Sequence, residues 1–97
     1  MKTPYELFAV ECGQGWKSLI EPLIQRCQDE GVTILQIKEK FGGLRFYVGS
    51  CSEELYNAIN EAEDKSYTIC EECGAPGKKR TGGWIRTLCD EHAKDLY

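Results

Sequence analysis

The sequence predicts a small α+β fold, in which a helix, a β-hairpin and a second helix form a body that precedes a cysteine-rich C-terminal module. Three observations predict it: an apolar stripe at helical spacing, two β-rich segments around a Gly-Gly turn, and two Cys/His pairs near the end. The 97 residues have the size of one domain. We therefore expect residues 1–69 (the body) and residues 70–97 (the C-terminal module) to pack together.

The first predicted helix has one apolar face. Its apolar residues recur every three or four positions, at Trp16, Leu19, Ile20, Leu23, Ile24 and Cys27. Ser18 and Glu21 have the spacing of a capping box, so the regular part of the helix is expected to begin around Ser18. Gly31 is expected to end it, because glycine readily adopts a positive φ.

The two β-rich segments, residues 32–38 and 44–48, predict a β-hairpin with its turn at residues 40–43. Apolar residues alternate with polar ones in the second segment, which is typical of a sheet with one buried face. A hairpin is marginally stable by itself. We therefore expect both helices to pack on that face.

The second predicted helix starts at Ser50 or Ser52, both of which are candidate N-caps, and runs to about Ser66. Its apolar face consists of Leu55, Ala58, Ile59 and Ala62. Its other face is acidic and holds Glu53, Glu54, Glu61, Glu63 and Asp64. Such a face is usually only solvated, but it also suits contact with a basic protein surface or with a nucleic-acid-binding groove.

Composition and charge narrow the class of protein. The formal net charge is -4, with all of the excess acid before residue 70, which disfavours non-specific attraction to nucleic acid or to an acidic membrane. No segment approaches the roughly 18 consecutive apolar residues of a membrane span, and the first residues lack the apolar core of a signal peptide. We expect a cytosolic protein without membrane contact.

The strongest motif is the pattern C-x2-C-x15-C-x2-H, which is formed by Cys70, Cys73, Cys89 and His92. Three thiolates and an imidazole suit one tetrahedral zinc ion, with iron as the alternative. Four protein ligands leave no open position, so the site is expected to be structural. The module is therefore predicted to be a zinc ribbon or treble-clef-like unit.

The alternative interpretation of Cys70 and Cys73 is a redox-active C-x-x-C pair, with His92 as an ordinary surface residue. Redox pairs of this kind accompany a βαβ pattern, and the sequence shows none. The metal site is the preferred interpretation, because the only histidine of the chain falls at the fourth ligand position.

A basic segment with one aromatic residue lies between the two ligand pairs and contains Lys78, Lys79, Arg80, Trp84 and Arg86. One interpretation is the solvated tip of a zinc-ribbon hairpin. The other is a contact surface for a partner or a nucleic acid, because basic residues beside an exposed aromatic ring suit phosphates and bases. The acidic character of the whole chain favours the first interpretation.

Three cysteines remain outside the motif. Cys27 lies on the apolar stripe and is expected to be a core residue. Cys12 and Cys51 could share a second metal ion with it, but no paired ligand spacing favours that alternative.

From about Cys12 onwards the chain resembles a family of short, largely uncharacterised proteins of bacteriophages and prophages. The resemblance lies in residues 12–16, 38–47, 70–76 and 82–89. It implies a phage-encoded protein that acts in the cytoplasm of an infected bacterial cell. It brings no reaction or catalytic residues, and only the four ligand positions are carried over.

Three classes of function follow from these patterns. The first is a non-enzymatic, zinc-stabilised protein that binds and modulates a host or phage protein, for example in a defence or nucleic-acid-processing complex. The second is a nucleic-acid-binding regulator that uses the basic zinc hairpin, with Lys38, Lys40 and Arg45 as additions. An enzyme is disfavoured, because the single histidine is already a metal ligand and no nucleophile–base pair is visible. The sequence leaves the oligomeric state open.

Overall fold

The computed structural model describes residues 13–81 and 83–94. A 3-10 turn at Gln14–Trp16 leads into helix α1, and the remaining elements follow in the predicted order. Their bounds are α1 Lys17–Glu30, β1 Ile34–Lys40, β2 Gly43–Val48, α2 Glu53–Ser66, β3 Lys78–Arg80, β4 Arg86–Leu88 and α3 Asp90–Ala93. The α+β fold class is confirmed. The short helix α3 has no counterpart among the sequence-based predictions.

Helix α1 begins and ends within one residue of the predicted positions. Gly31 ends it with φ 69°, and the next amide, that of Val32, donates to the carbonyl oxygen of Cys27 at 2.8 Å. The predicted capping box is wrong, because Ser18 lies inside the helix and the N-cap is Trp16, which makes no side-chain cap. The preceding 3-10 turn provides the start instead, since the Lys17 amide donates to the carbonyl oxygen of Gln14.

Strands β1 and β2 form an antiparallel hairpin, as predicted. Lys40 pairs with Gly43, so the turn consists of Phe41 and Gly42, whose φ values are 54° and 82°. Two positive φ values match a type I′ turn, which follows the natural twist of the strands. The register shifts between Ile34 and Gln36, and the intervening Leu35 is 65% exposed.

Helix α2 is capped by Ser52, whose hydroxyl accepts from the amide of Leu55 at 3.2 Å. The helix also covers the outer edge of β2. The Ser66 hydroxyl accepts from the Leu44 amide and the Glu63 carboxylate accepts from the Phe46 amide, both at 2.9 Å. Two amides at a sheet edge are thereby satisfied by side chains.

The main core lies between the two long helices and the inner face of the hairpin. It contains the buried residues Trp16, Ile20, Leu23, Ile24, Cys27, Ile37, Leu44, Phe46, Leu55, Ile59 and Ala62. Trp16 is fully buried at the margin of this core, and its indole N–H donates to the carbonyl oxygen of Ile69 at 2.9 Å. The 3-10 turn that precedes α1 is thus bonded to the segment that enters the C-terminal module.

The C-terminal module contacts the body through backbone and side-chain hydrogen bonds. The Gly15 amide donates to the Glu71 carbonyl oxygen at 2.8 Å, and the Thr87 hydroxyl donates to the Gly42 carbonyl oxygen at 2.5 Å. The division of the chain into residues 1–69 and 70–97 stays a prediction. In the described part of the chain, no helix is long and apolar enough to span a membrane.

We expect Gly15→Ala to destabilise the fold by about 2 kcal/mol, because its Cβ would overlap the backbone carbonyl oxygen of Cys70. Gly49→Ala is the matched control, since a Cβ at Gly49 meets only ordinary contacts with Thr33. Urea denaturation followed by circular dichroism measures the difference. Equal free energies of unfolding for the two variants would contradict the close contact between the 3-10 turn and the C-terminal module.

Candidate metal centre

Cys70, Cys73, Cys89 and His92 lie together at the end of the chain, as the motif predicts. One ligand atom from each residue lies within 4.8 Å of all the others. The Sγ atoms of Cys73 and Cys89 are 3.8 Å apart, and His92 Nδ1 is 3.2 Å from Cys89 Sγ and 3.6 Å from Cys70 Sγ. No disulfide joins the three thiols.

These separations fit a tetrahedral zinc site. Zn–S bonds of about 2.3 Å at tetrahedral angles place two sulfur atoms about 3.8 Å apart. A sulfur and an imidazole nitrogen on the same ion lie slightly closer together, because the Zn–N bond is shorter. The Cys3His cluster could therefore bind one zinc ion with little rearrangement, and all four of its donors come from the protein.

The first ligand pair is held by a tight turn. The Cys70 amide donates to the Ala75 carbonyl oxygen at 2.8 Å, and the Gly74 amide donates to the Cys70 carbonyl oxygen at 2.9 Å. Gly74 has φ 83°, a conformation that suits glycine. Cys70 is fully buried by this turn, whereas Cys73 lies on its exposed side.

The second ligand pair comes from the start of helix α3. Cys89 is the N-cap residue and His92 lies three positions later, so both side chains share one face of the first turn. Hydrogen bonds from the backbone and then the imidazole of His92 lower the pKa of the Cys89 thiol to about 6. The thiolate is the form that binds metal, so this environment favours coordination.

The order of turn, β-hairpin and helix is that of a treble-clef-like module. Strand β3 pairs with β4 between the two ligand pairs, and α3 follows. Both strand pairs of the described residues are antiparallel. The βαβ setting of a redox-active C-x-x-C pair is therefore missing from residues 13–81 and 83–94, which favours the metal interpretation of Cys70 and Cys73.

Arg86 and Glu71 form an ion pair behind the ligands. Arg86 Nε donates to Glu71 Oε1 at 2.8 Å, and the Thr87 amide donates to Glu71 Oε2 at 3.2 Å. Burial raises the pKa of Glu71, and these hydrogen bonds oppose that rise. Arg86 also donates to the carboxylate of Glu72, so it ties the first ligand turn to strand β4.

The structure divides the five predicted contact residues into two groups. Arg80 and Arg86 serve the module itself: Arg80 donates to Asp90 at 2.7 Å and to the Leu88 carbonyl oxygen, next to the start of α3. Lys78 and Lys79 are exposed, and Trp84 is 70% exposed. The sequence pattern does not reveal this division, because it records the positive charge and not its partner.

The carboxylates of Glu71 and Glu72 are site residues that sequence reasoning missed. They lie between two ligands, where only the spacing was interpreted. The available signal was opposite charge, since two acidic residues in the first turn accompany Arg86 beside the second ligand pair. Sequence separation alone does not tell which arginine pairs with them.

The remaining cysteines do not form a second cluster in the described residues. Cys27 is fully buried in the main core, as expected, and burial is the largest cause of its raised thiol pKa. Cys51 is partly buried against the same core. Cys12 lies outside the described residues. Among residues 13–81 and 83–94, the only group of three or more potential ligands is the Cys3His cluster.

Comparison with known proteins leaves the assignment of function to the residues themselves. No family model, no curated protein and no solved structure matches the chain.

We expect the purified protein to contain about one zinc ion per chain, because one donor set of four ligands fits one ion. Cys73→Ser should lower the content to well under half an equivalent, whereas Cys51→Ser should leave it unchanged. Elemental analysis by mass spectrometry measures both. A wild-type content near zero, or equal losses in the two variants, would contradict the site.

We expect Arg86→Gln to destabilise the protein by about 3 kcal/mol, since it leaves the buried Glu71 carboxylate without its cation. Arg26→Gln removes the same group from an exposed ion pair with Glu30 and should cost less than about 0.5 kcal/mol. Chemical denaturation of the zinc-loaded variants gives the comparison. A loss for Arg86→Gln no larger than that of the control would overturn the structural role of this ion pair.

Proposed function

We propose that the protein is a non-enzymatic binding protein, in which one structural zinc ion holds the C-terminal module together and the acidic face of α2 contacts a basic surface of a protein partner. The observation that carries this proposal is the closed donor set. A zinc ion with three sulfur ligands and one nitrogen ligand has no position left for water or substrate. The ion therefore serves stability instead of chemistry.

The lack of catalysis is supported by the distribution of reactive groups. The single histidine of the chain, His92, belongs to the donor set. Cys27 is buried, and its raised thiol pKa makes it a poor nucleophile. The remaining candidate for activity is recognition at the protein surface.

The acidic face of α2 is the surface that best fits a protein partner. Four of its carboxylates are exposed and form no ion pair within the described residues: Glu53, Glu54, Glu61 and Asp64. The fifth predicted member, Glu63, is turned towards the body and accepts from the Phe46 amide. A row of unpaired carboxylates on a rigid helix offers charge complementarity to a basic protein surface.

We also propose a phage origin, with action in the cytoplasm of an infected bacterial cell on a host or phage protein. The target would belong to a defence or nucleic-acid-processing complex. The support is the resemblance of residues 12–16, 38–47, 70–76 and 82–89 to phage proteins.

The earlier alternative, nucleic-acid binding by the zinc hairpin, has less support. Arg80 and Arg86 are held by Asp90, Glu71 and Glu72. Lys78 and Lys79 of strand β3 form no ion pair within the described residues, and Lys79 lies over the ring of Tyr67 at 5.4 Å. Two lysines make a small electrostatic footprint.

A pull-down with the tagged, zinc-loaded protein tests the protein partner. We expect a defined bacterial or phage protein to co-purify from infected cells, and Glu61→Gln/Asp64→Asn to reduce its recovery severalfold by removing two free carboxylates. Glu21→Gln/Glu91→Gln removes the same number of charges elsewhere and should leave recovery unchanged. Equal recovery with both double variants would contradict the assignment to α2.

A further inference from the structure

The solvent side of the β1–β2 hairpin carries a second charged surface, which is of opposite sign. Ile37, Leu44 and Phe46 point into the core, so the alternate positions of both strands point outwards. We call this surface the outer hairpin face; it consists of Lys38, Lys40, Phe41, Arg45 and Tyr47. It is basic, although the chain as a whole has a net charge of -4.

The three cations of the outer hairpin face have no ion-pair partner among residues 13–81 and 83–94. Lys38 and Arg45 lie directly opposite each other in the ladder, and like charges at such a pair are unfavourable. No ion pair of the described residues includes Lys38, Lys40 or Arg45. The nearest carboxylate in sequence, Glu39, accepts from the Gly42 amide at 2.7 Å. Stability of the hairpin does not explain this arrangement, whereas an anionic ligand does.

The same face exposes two aromatic rings. Phe41 is 59% exposed and Tyr47 is 42% exposed. Phe41 also has φ 54°, which is uncommon for a bulky residue, at a turn position where asparagine or glycine is usual. Neither burial nor turn geometry accounts for an aromatic residue there.

Each ring lies beneath the ammonium group of a lysine. Lys38 Nζ is 5.9 Å from the centre of the Tyr47 ring, and Lys40 Nζ is 5.7 Å from the centre of the Phe41 ring. A lysine side chain is flexible, so its ammonium group can move from the ring to a phosphate while a flat base stacks on the exposed ring. Two such ring–lysine pairs along one hairpin suit a chain that alternates flat bases with phosphates.

We propose that the outer hairpin face binds single-stranded nucleic acid, with bases on Tyr47 and Phe41 and phosphates against Lys38, Lys40 and Arg45. A duplex is a poorer ligand, because its bases are already stacked and paired. An acidic peptide would neutralise the cations but leave the rings exposed. The site is separate from the acidic face of α2, so it goes beyond the proposed protein-binding function.

Fluorescence anisotropy with a labelled oligo-dT of about 12 nucleotides tests the proposal. We expect binding that weakens with salt, with a slope of log K against log salt of about −2 for three phosphate contacts. Tyr47→Ala should weaken binding by about tenfold, whereas Tyr47→Phe keeps the ring and should bind like wild type. Circular dichroism and zinc content confirm that each variant is folded.

Two matched double variants locate the site. Lys38→Gln/Lys40→Gln should lower the slope to about −0.7, because one phosphate contact remains. Lys78→Gln/Lys79→Gln removes the same charge from the zinc hairpin and should keep both affinity and slope. The opposite result would place the site on the zinc hairpin and overturn the proposal.

Three other outcomes would also overturn the proposal: no binding at low salt, equal affinity for a duplex of the same length, and equally effective competition by poly-glutamate. The pull-down by the acidic face of α2 is scored separately on co-purified protein. Failure of one function therefore leaves the result for the other unchanged.

Discussion

The convergence of four ligands on one point is the constraint on which the C-terminal module depends. Among the described residues of this module, the buried cluster contains only Cys70, Leu88, Cys89 and Ala93, which is too small a core to stabilise a chain segment of this length. Two of the four buried residues are ligands. Metal coordination therefore takes the place of an apolar core, and the β3–β4 hairpin and α3 keep their positions because the ligand pairs at either end are joined.

The body and the C-terminal module are also joined by a short interface that consists mainly of backbone hydrogen bonds. The 3-10 turn before α1 lies against the turn that carries the first two ligands, and the tip of the β1–β2 hairpin accepts a hydrogen bond from Thr87. Glycines allow both approaches, because a Cβ at Gly15 or Gly42 would meet backbone atoms of the module. Buried Glu71 lies at the centre of this interface. Its backbone forms hydrogen bonds with the 3-10 turn and with β4, and its carboxylate accepts a hydrogen bond from Arg86. The metal site and the main core are thus parts of one hydrogen-bonded arrangement.

Sequence patterns predicted the features that depend on local spacing. Five such features are present: the apolar stripe of α1, the glycine at its end, the hairpin turn, the Ser52 cap and the four ligands. Each depends on neighbours a few residues away.

Sequence patterns did not predict the contacts that depend on a partner distant in sequence. Ser18 is not the N-cap because the residues before it already form a turn, and the pairing of Arg86 with Glu71 could not be predicted because it depends on the loop between the ligand pairs. The alternation of residue types in β2 indicated that one face of the hairpin points to solvent. That the cations on this face form no ion pair within the described residues follows only from the side-chain positions.

The two tryptophans of the chain occupy opposite environments. Trp16 is fully buried and bonded to the carbonyl oxygen of Ile69, at the junction of body and module, whereas Trp84 is 70% exposed under the guanidinium of Arg86, at 4.9 Å from its ring centre. Indole emission shifts to longer wavelengths as water reaches the ring. The two tryptophans are therefore intrinsic fluorescence reporters of different events. The emission of buried Trp16, at shorter wavelength, reports separation of the module from the body. The emission of exposed Trp84, at longer wavelength, reports changes at the zinc hairpin.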